Sequence, residues 1–332
     1  MFKHKVLVPD HNVRAEGLDL LQDNGIELTV LQSYSRPEKV IDSSKDVAAI
    51  LARVTQINKE VLTASPKLKI VSRHGVGYDN VAIDECTKLG IAVTTTGDAN
   101  SEAVSEYAFA QLISLARHLT RAANEVKSGI WKRDNIVGFE LYQKTLGIIG
   151  LGRIGSRLAK HALGFGMEVL AYDPYPNRCA IDEVDVSLVS FEKLLQKSDF
   201  ISLHTPLNSE TRNLIGKTEL DLMKPTAFLV NTARGGLIDE KALFYSLHHR
   251  KIGGAALDVF EQEPVPEDYS LLKLDNLMCS PHVAGQTSEA LVRTSIAAAQ
   301  NILCVFRGEP PKNLVNPEVL KNSSRTNWKV NF

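Results

Sequence analysis

The stretch TLGIIGLGRIG, Thr145 to Gly155, decides how the chain is read. Leu146, Ile148 and Ile149 form the apolar run of a buried strand, and the run enters Gly150-Leu151-Gly152-Arg153-Ile154-Gly155. Strand, glycine turn and helix start, in that order, make a dinucleotide fingerprint. Gly150 serves the turn, Gly152 lets a pyrophosphate approach backbone N–H groups, and Gly155 allows helix to pack on strand. Glycine-rich turns are common, so the following segment carries weight. Ser156 to Phe165 predicts a helix, and Glu168 to Tyr172 predicts a strand that ends at Asp173. A carboxylate at that spacing suits the adenosine ribose and repels a 2′-phosphate, so NAD is expected over NADP.

About 140 residues precede the fingerprint, enough for a domain of their own. Strand-like runs at Lys5–Pro9, Ile26–Leu31, Val47–Ala52, Lys69–Arg73 and Ile91–Val93 alternate with helical segments near Asn12–Asn24, Asn58–Ala64 and Asp79–Leu89. Such alternation predicts an α/β fold with parallel sheets. Thr94–Ala99 is polar and turn-rich, and Asn100 or Ser101 can cap one long helix through Lys127. After the fingerprint, strands are expected at Phe200–His204, Ala227–Asn231, Gly253–Asp258 and Leu277–Ser280. Helices are expected at Phe191–Gln196, Asn208–Ile215, Asp239–His249 and Thr287–Arg307. The last helix is expected to return to the first domain. That gives a discontinuous domain of residues 1–98 plus 286–332, a nucleotide-binding domain of 99–285, and a cleft with two hinges. The final NSSRTNWKVNF is read as a loose tail.

The formal net charge is −1, which gives no electrostatic case for nucleic acid or an anionic membrane as partner. Cys86, Cys179, Cys279 and Cys304 are scattered without zinc spacing and read as reduced thiols of a cytoplasmic protein. Met1–Lys5 leads into Val6-Leu7-Val8 with no signal-like apolar region, and no run is long enough to span a bilayer. No metal is expected.

Six motifs together resemble the D-2-hydroxyacid dehydrogenase family along essentially the whole chain. They are RHGVGYDN (Arg73–Asn80), GLGRIG with Asp173, LHTPL (Leu203–Leu207), NTARGG (Asn231–Gly236), ALDVFEQEP (Ala256–Pro264) and SPHVAG (Ser280–Gly285). The resemblance implies a Rossmann-like nucleotide-binding domain inserted into a flavodoxin-like substrate domain, which accounts for the late fingerprint. Reducing a 2-oxo acid needs a hydride donor, a proton donor and a cation for the carboxylate and carbonyl. His282 suits proton donation because imidazole titrates near neutrality. Glu263, bonded to its far nitrogen, would fix the tautomer and favour the protonated ring. Arg234, after a strand at the carboxyl edge of the sheet, offers a planar fork for a carboxylate.

The resemblance also implies a cofactor lining. Arg153 and Ile154 would cover the pyrophosphate. His204, Thr205, Pro206, Thr232, Ala233 and Gly285 would line the nicotinamide side, where Asp258 would accept from the carboxamide. On the substrate side, the N–H groups of Val76 and Gly77 would meet the carboxylate. Arg53, Arg73 and Arg133 resemble the phosphate-side arginines of phosphoglycerate dehydrogenases, with Arg53 one residue out of register. A substrate like 3-phosphoglycerate is therefore expected, with glyoxylate, hydroxypyruvate or a general 2-oxo acid as alternatives. An NADH-sensing corepressor-like scaffold is the alternative of another class. A homodimer through the nucleotide-binding domain is expected from the apolar side chains around the helix from Ser101.

Overall fold

The structure, a computed structural model, describes residues 4–32, 35–176, 184–322, 325 and 328. Met1–Lys3, Cys179 and most of the C-terminal tail lie outside the described residues. The chain divides into two compact units, Met1–Asn100 with Gln286–Phe332, and Ser101–Gly285.

The first unit holds β1 (Lys5–Val8), α1 (Ala15–Asp23), β2 (Glu27–Val30), α2 (Pro37–Ser44), β3 (Ala49–Ala52), α3 (Lys59–Ala64), β4 (Ile70–Arg73), α4 (Ile83–Lys88) and β5 (Ala92–Thr94). All strand pairs are parallel in the order β2-β1-β3-β4-β5, the flavodoxin-like order. Alternate residues of a strand face opposite ways. Val6, Val8, Ala49 and Leu51 therefore pack toward α1 and the helix Ser288–Phe306, whereas Leu7, Ile50 and Ala52 pack toward α2, α3 and α4. Covering both faces explains why β3, β4 and β5 read as unbroken buried runs. The helix crossing is closest at Gly17, where a methyl group would sit 2.5 Å from the Ser295 carbonyl oxygen.

The end of the chain is better anchored than expected. Leu314 bridges Thr94 in antiparallel fashion, and the Asn316 side chain accepts from the Val93 N–H at 2.8 Å. Within the segment read as loose, Arg325 donates to the carbonyls of Ser65 and Leu68, and Trp328 donates to that of Val319.

The second unit holds α5 (Ser101–Arg117), α6 (Leu119–Lys127), β6 (Thr145–Ile149), α7 (Arg153–Gly164), β7 (Glu168–Tyr172), β8 (Ser187–Leu188), β9 (Phe200–Leu203), β10 (Phe228–Asn231), β11 (Gly254–Leu257) and β12 (Leu277–Cys279). Helices Phe191–Lys197, Lys217–Leu222 and Glu240–His248 complete it. Seven parallel strands run in the order β12-β11-β10-β9-β6-β7-β8, reversing direction of growth between β6 and β9. That is a doubly wound nucleotide-binding sheet, whose ligands bind beyond the carboxyl ends at the reversal.

Two expectations are corrected here. The long helix breaks at His118, which has a left-handed φ of 53°, and neither Gly nor Pro marks the break. On α5, Ala108, Phe109 and Leu112 are buried in its own unit, whereas Tyr107 and Ile113 are half-buried and Leu119 of α6 is exposed. Asn208–Ile215 is a series of turns because the Asn208 carboxamide accepts from the N–H groups of Glu210 and Thr211. The helix comes later, at Lys217, where the Glu219 carboxylate accepts from the Gly216 N–H.

His74, 6% exposed, sits after β4 with its Nε2 2.8 Å from Ser295 Oγ, which also accepts from the Arg14 N–H. Burial, then the charges of Arg53 and Arg73, lower it from 6.5 to about 3. The unfolded chain takes up this proton near its ordinary value and the folded chain does not. Stability is thus fully present above that value and lost as pH falls toward about 3. His74→Gln should reduce the steepness of this loss between about pH 6 and 4 by about 1.4 kcal/mol per pH unit in urea unfolding. An unchanged slope would show that His74 is protonated in the native protein.

Candidate active site

At the carboxyl end of β6 the three glycines have distinct surroundings. Gly150 has φ 95°, and a methyl group there would lie 2.6 Å from the His204 carbonyl oxygen. On Gly155 it would lie 2.2 Å from the Gly150 carbonyl oxygen, while Gly152 faces open space. The opening α7 starts at Arg153, so its first N–H groups and exposed Gly152 offer an anion room to approach. These residues fit a dinucleotide pyrophosphate. Arg153 is exposed and Ile154 half-buried on the first turn.

Asp173, after β7, also supports this turn. Its Oδ2 accepts from the Leu151 N–H at 2.9 Å and its Oδ1 from the Tyr175 N–H at 2.8 Å. Each oxygen retains acceptor capacity for a ribose hydroxyl. Beyond β9, burial lowers His204 to about 3, which keeps it neutral. Its Nε2 is 2.8 Å from Ser202 Oγ, whereas its buried Nδ1 and the buried Thr232 hydroxyl have no hydrogen-bond partner among the described residues. Thr205 and Pro206 follow, and the Pro206 carbonyl accepts from the Thr211 hydroxyl at 2.6 Å.

Three turns at the ends of β10, β11 and β12 form the centre. Asn231, the last residue of β10, accepts from the Ala233 N–H at 3.0 Å and donates to the Arg234 carbonyl at 2.8 Å, setting the turn that bears Arg234. The Arg234 Nη1 donates to the Ala233 carbonyl at 2.6 Å. Asp258, after β11, is fully buried. Its Oδ1 accepts from the Ser280 hydroxyl at 2.6 Å and the Val283 N–H at 2.9 Å, and its Oδ2 from the Ala284 N–H at 2.8 Å. Its own carbonyl accepts from the His282 N–H at 2.8 Å. Expected at the nicotinamide, Asp258 thus grips the turn leading to half-buried Gly285. His282 sits there at φ 55°.

His282 and Glu263 meet. The imidazole Nδ1 is 2.8 Å from Glu263 Oε2, and the other carboxylate oxygen accepts from the Phe260 N–H at 3.0 Å. Burial pulls the Glu263 carboxyl upward. The hydrogen bond and charge of His282, the Phe260 N–H and the charge of Arg234 outweigh it and hold the group below the ordinary carboxylate value. Glu263 is therefore an anion at neutral pH, with the His282 imidazole on one oxygen and the Phe260 N–H on the other.

Val76 and Gly77, expected on the substrate side, occupy the loop after β4. Gly75 has φ 148°, and the half-buried Val76 and Gly77 follow it. Arg73, 9% exposed, donates from Nε to the Gly77 carbonyl at 2.6 Å and from Nη1 to the carbonyls of Ala52, at 2.9 Å, and Arg53. Most of its fork supports the loop. The N–H of Arg53 donates to Asp10 at 2.7 Å. Arg133 begins a short 3-10 turn, and its side chain is outside the described residues. Sequence reading missed Asn231 as a turn former, though an Asn ahead of a glycine pair signals one. It also missed Glu240, which only packing reveals.

A family model for the NAD binding domain of D-isomer specific 2-hydroxyacid dehydrogenases matches residues 109–284. The chain is 44% identical to a glyoxylate reductase of Korarchaeum cryptofilum, covering 92% of this chain and 94% of that one. It is 40% identical to a D-3-phosphoglycerate dehydrogenase of Archaeoglobus fulgidus, covering 94% of this chain and 59% of the relative. The TT0316 protein of Thermus thermophilus superposes with a TM-score of 0.87 at 33% identity, over 94% of this chain and 99% of the other. The chain belongs to the D-isomer specific 2-hydroxyacid dehydrogenase family. It is an NAD-dependent oxidoreductase of D-2-hydroxy acids.

The glycine surroundings separate folding from binding. Gly152→Ala should leave the melting temperature unchanged and weaken NADH binding, because its methyl occupies only the space facing the cofactor. Gly155→Ala should lower the melting temperature by about 2 °C or more, because its methyl meets backbone. Thermal melts beside NADH fluorescence titrations check both, and equal behaviour of the two variants would refute the division.

Proposed function

We propose that Arg234, Glu263 and His282 carry the chemistry, and that the substrate is a small 2-oxo acid of the glyoxylate or hydroxypyruvate kind. The observation that carries this is the 2.8 Å His282–Glu263 pair, with the charge of Arg234 acting on the same carboxylate. Bound NAD supplies or accepts the hydride. Arg234 orients the substrate carboxylate and polarises the carbonyl. Glu263 holds the Nδ1 proton of His282, so Nε2 gives a proton to the carbonyl oxygen during reduction and takes it back during oxidation. Asp258 acts as the brace of the His282 turn as well as a cofactor-side residue. Asp173, His204, Thr205, Pro206, Thr232, Ala233 and Gly285 form the remaining cofactor lining.

The substrate assignment rests on Arg73, whose Nε and Nη1 are engaged by carbonyls and so do not await a second anion. Val76 and Gly77 offer N–H groups to one carboxylate. A 3-phosphoglycerate-like substrate is the second reading, favoured by the relative of that name and by Arg53. NADH oxidation with glyoxylate, hydroxypyruvate, pyruvate and phosphohydroxypyruvate decides between them, and a strong preference for the last would overturn the small-acid assignment. His282→Ala and Arg234→Ala should each reduce kcat by about 100-fold or more while NADH binding persists. Wild-type turnover in either would remove that residue from the mechanism.

A homodimer through the second unit fits α6 and the segment after it. No residue of α6 is buried, although it bears Leu119 and Val126, and Trp131 is 81% exposed. Val137, Tyr142 and Phe165 are exposed as well. A second copy of the chain would cover them. Light scattering should give the mass of a dimer, and Val126→Glu with Trp131→Glu should give a monomer. A wild-type monomer at micromolar concentration would refute this assembly. The cytoplasm fits the free thiols of Cys86, Cys279 and Cys304.

A further inference from the structure

Glu240 opens the helix Glu240–His248, outside the six motifs in sequence, yet it is a buried carboxylate with only 7% of its surface exposed. A buried charge persists where its acceptors are engaged. Its Oε1 accepts from the Glu261 N–H at 2.8 Å, and its Oε2 accepts from the Tyr269 hydroxyl. Burial first, then the hydrogen bond and charge of Glu240 and the charge of Glu261, push the Tyr269 phenol upward, so it remains a donor.

The Glu261 peptide has a second restraint. Gly235 lies directly against it: a methyl group on Gly235 would be 1.9 Å from the Phe260 carbonyl carbon and 2.3 Å from the Glu261 nitrogen. Gly235 follows Arg234 in the chain. The 260–261 peptide is therefore pressed from one side by the turn that bears Arg234 and tied from the other by Glu240. Its next link is the Phe260 N–H to Glu263, and from Glu263 to His282. Arg212, 3.6 Å from the exposed Glu261 carboxylate, is the other charge at this peptide.

We propose that Glu240 is a positioning residue: it fixes the 260–261 peptide against Gly235 and so sets the Glu263–His282 pair in register with Arg234. The proposal rests on the proposed roles of that trio. Glu240 touches neither substrate nor cofactor and acts only through the loop. Losing its grip on the Glu261 N–H lets Glu263 move relative to His282, and a misplacement of about 1 Å is enough to cost rate.

The test compares Glu240→Ala, Glu240→Gln and Glu263→Gln for kcat, KM, NADH affinity, melting temperature and the pH dependence of reduction. Glu263→Gln removes the anion that favours protonated His282, so its alkaline limb should move to lower pH. Glu240→Ala should move the limb the same way and lower kcat by about 10- to 100-fold, with NADH affinity within about twofold of wild type. Glu240→Gln should restore most of the rate, since its carbonyl still accepts from Glu261 and its amide can donate to the Tyr269 oxygen.

A folded Glu240→Ala protein with the wild-type profile, beside a shifted Glu263→Gln, would overturn the positioning role alone. An unshifted Glu263→Gln would overturn the acid–base assignment and this inference with it. If Glu240→Ala does not fold, Glu240→Asp, one methylene shorter with the same charge, is measured instead. It should show the same displaced limb, and a wild-type profile would overturn the proposal.

Discussion

The grip of Asp258 on residues 280–284 is the interaction on which the His282-bearing end of the second unit depends. A carboxylate taken out of water must find donors, and this one finds a hydroxyl and two backbone N–H groups within one turn. Those bonds are charge-assisted, and so stronger than neutral ones. They hold His282 at a positive φ that a side chain bearing Cβ adopts only when its surroundings enforce it. Desolvation of Asp258 and strain at His282 are both costs, and these three bonds offset them within a single turn. The imidazole consequently meets Glu263 without having to search for it.

The same logic recurs at each strand end. Asn231 shapes the Arg234 turn with its side-chain amide, Asp173 braces the glycine turn, and Asp10 holds the backbone of Arg53. Short polar side chains bonded to backbone let turns take shapes that no strand or helix ladder would support. Beneath them the sheets are ordinary: buried, parallel and covered on both faces by helices. In each sheet the strands deliver the turns to the carboxyl edge, and the turns aim the side chains.

Much of this was legible in the sequence because it depends on local pattern. Apolar runs marked the central strands of both sheets, and the three glycines and Asp173 marked the turn at β6. The Glu263–His282 contact followed from motif resemblance rather than spacing, since nineteen positions separate the two. What the sequence concealed was decided by packing. His118 breaks a helix with no breaker residue present, and Asn208 forms its turn in a segment of acceptable helical periodicity. Arg73 reads by resemblance as a phosphate-side arginine, but burial turns much of its fork onto backbone carbonyls. Glu240 reads as an ordinary first-turn acid of a helix, and only its depth gives it another meaning.

Gly17 and Ser295 touch across 278 positions of chain, and this imposes an order on synthesis. The second unit is one continuous stretch and can complete its core while still attached to the ribosome. The first unit begins earlier but finishes later, because one face of its sheet lacks the helix Ser288–Phe306 until that segment emerges. During that interval Val6, Val8, Ala49 and Leu51 have only part of their cover, leaving a nascent apolar surface. The half of the molecule made first is therefore the half whose core closes last.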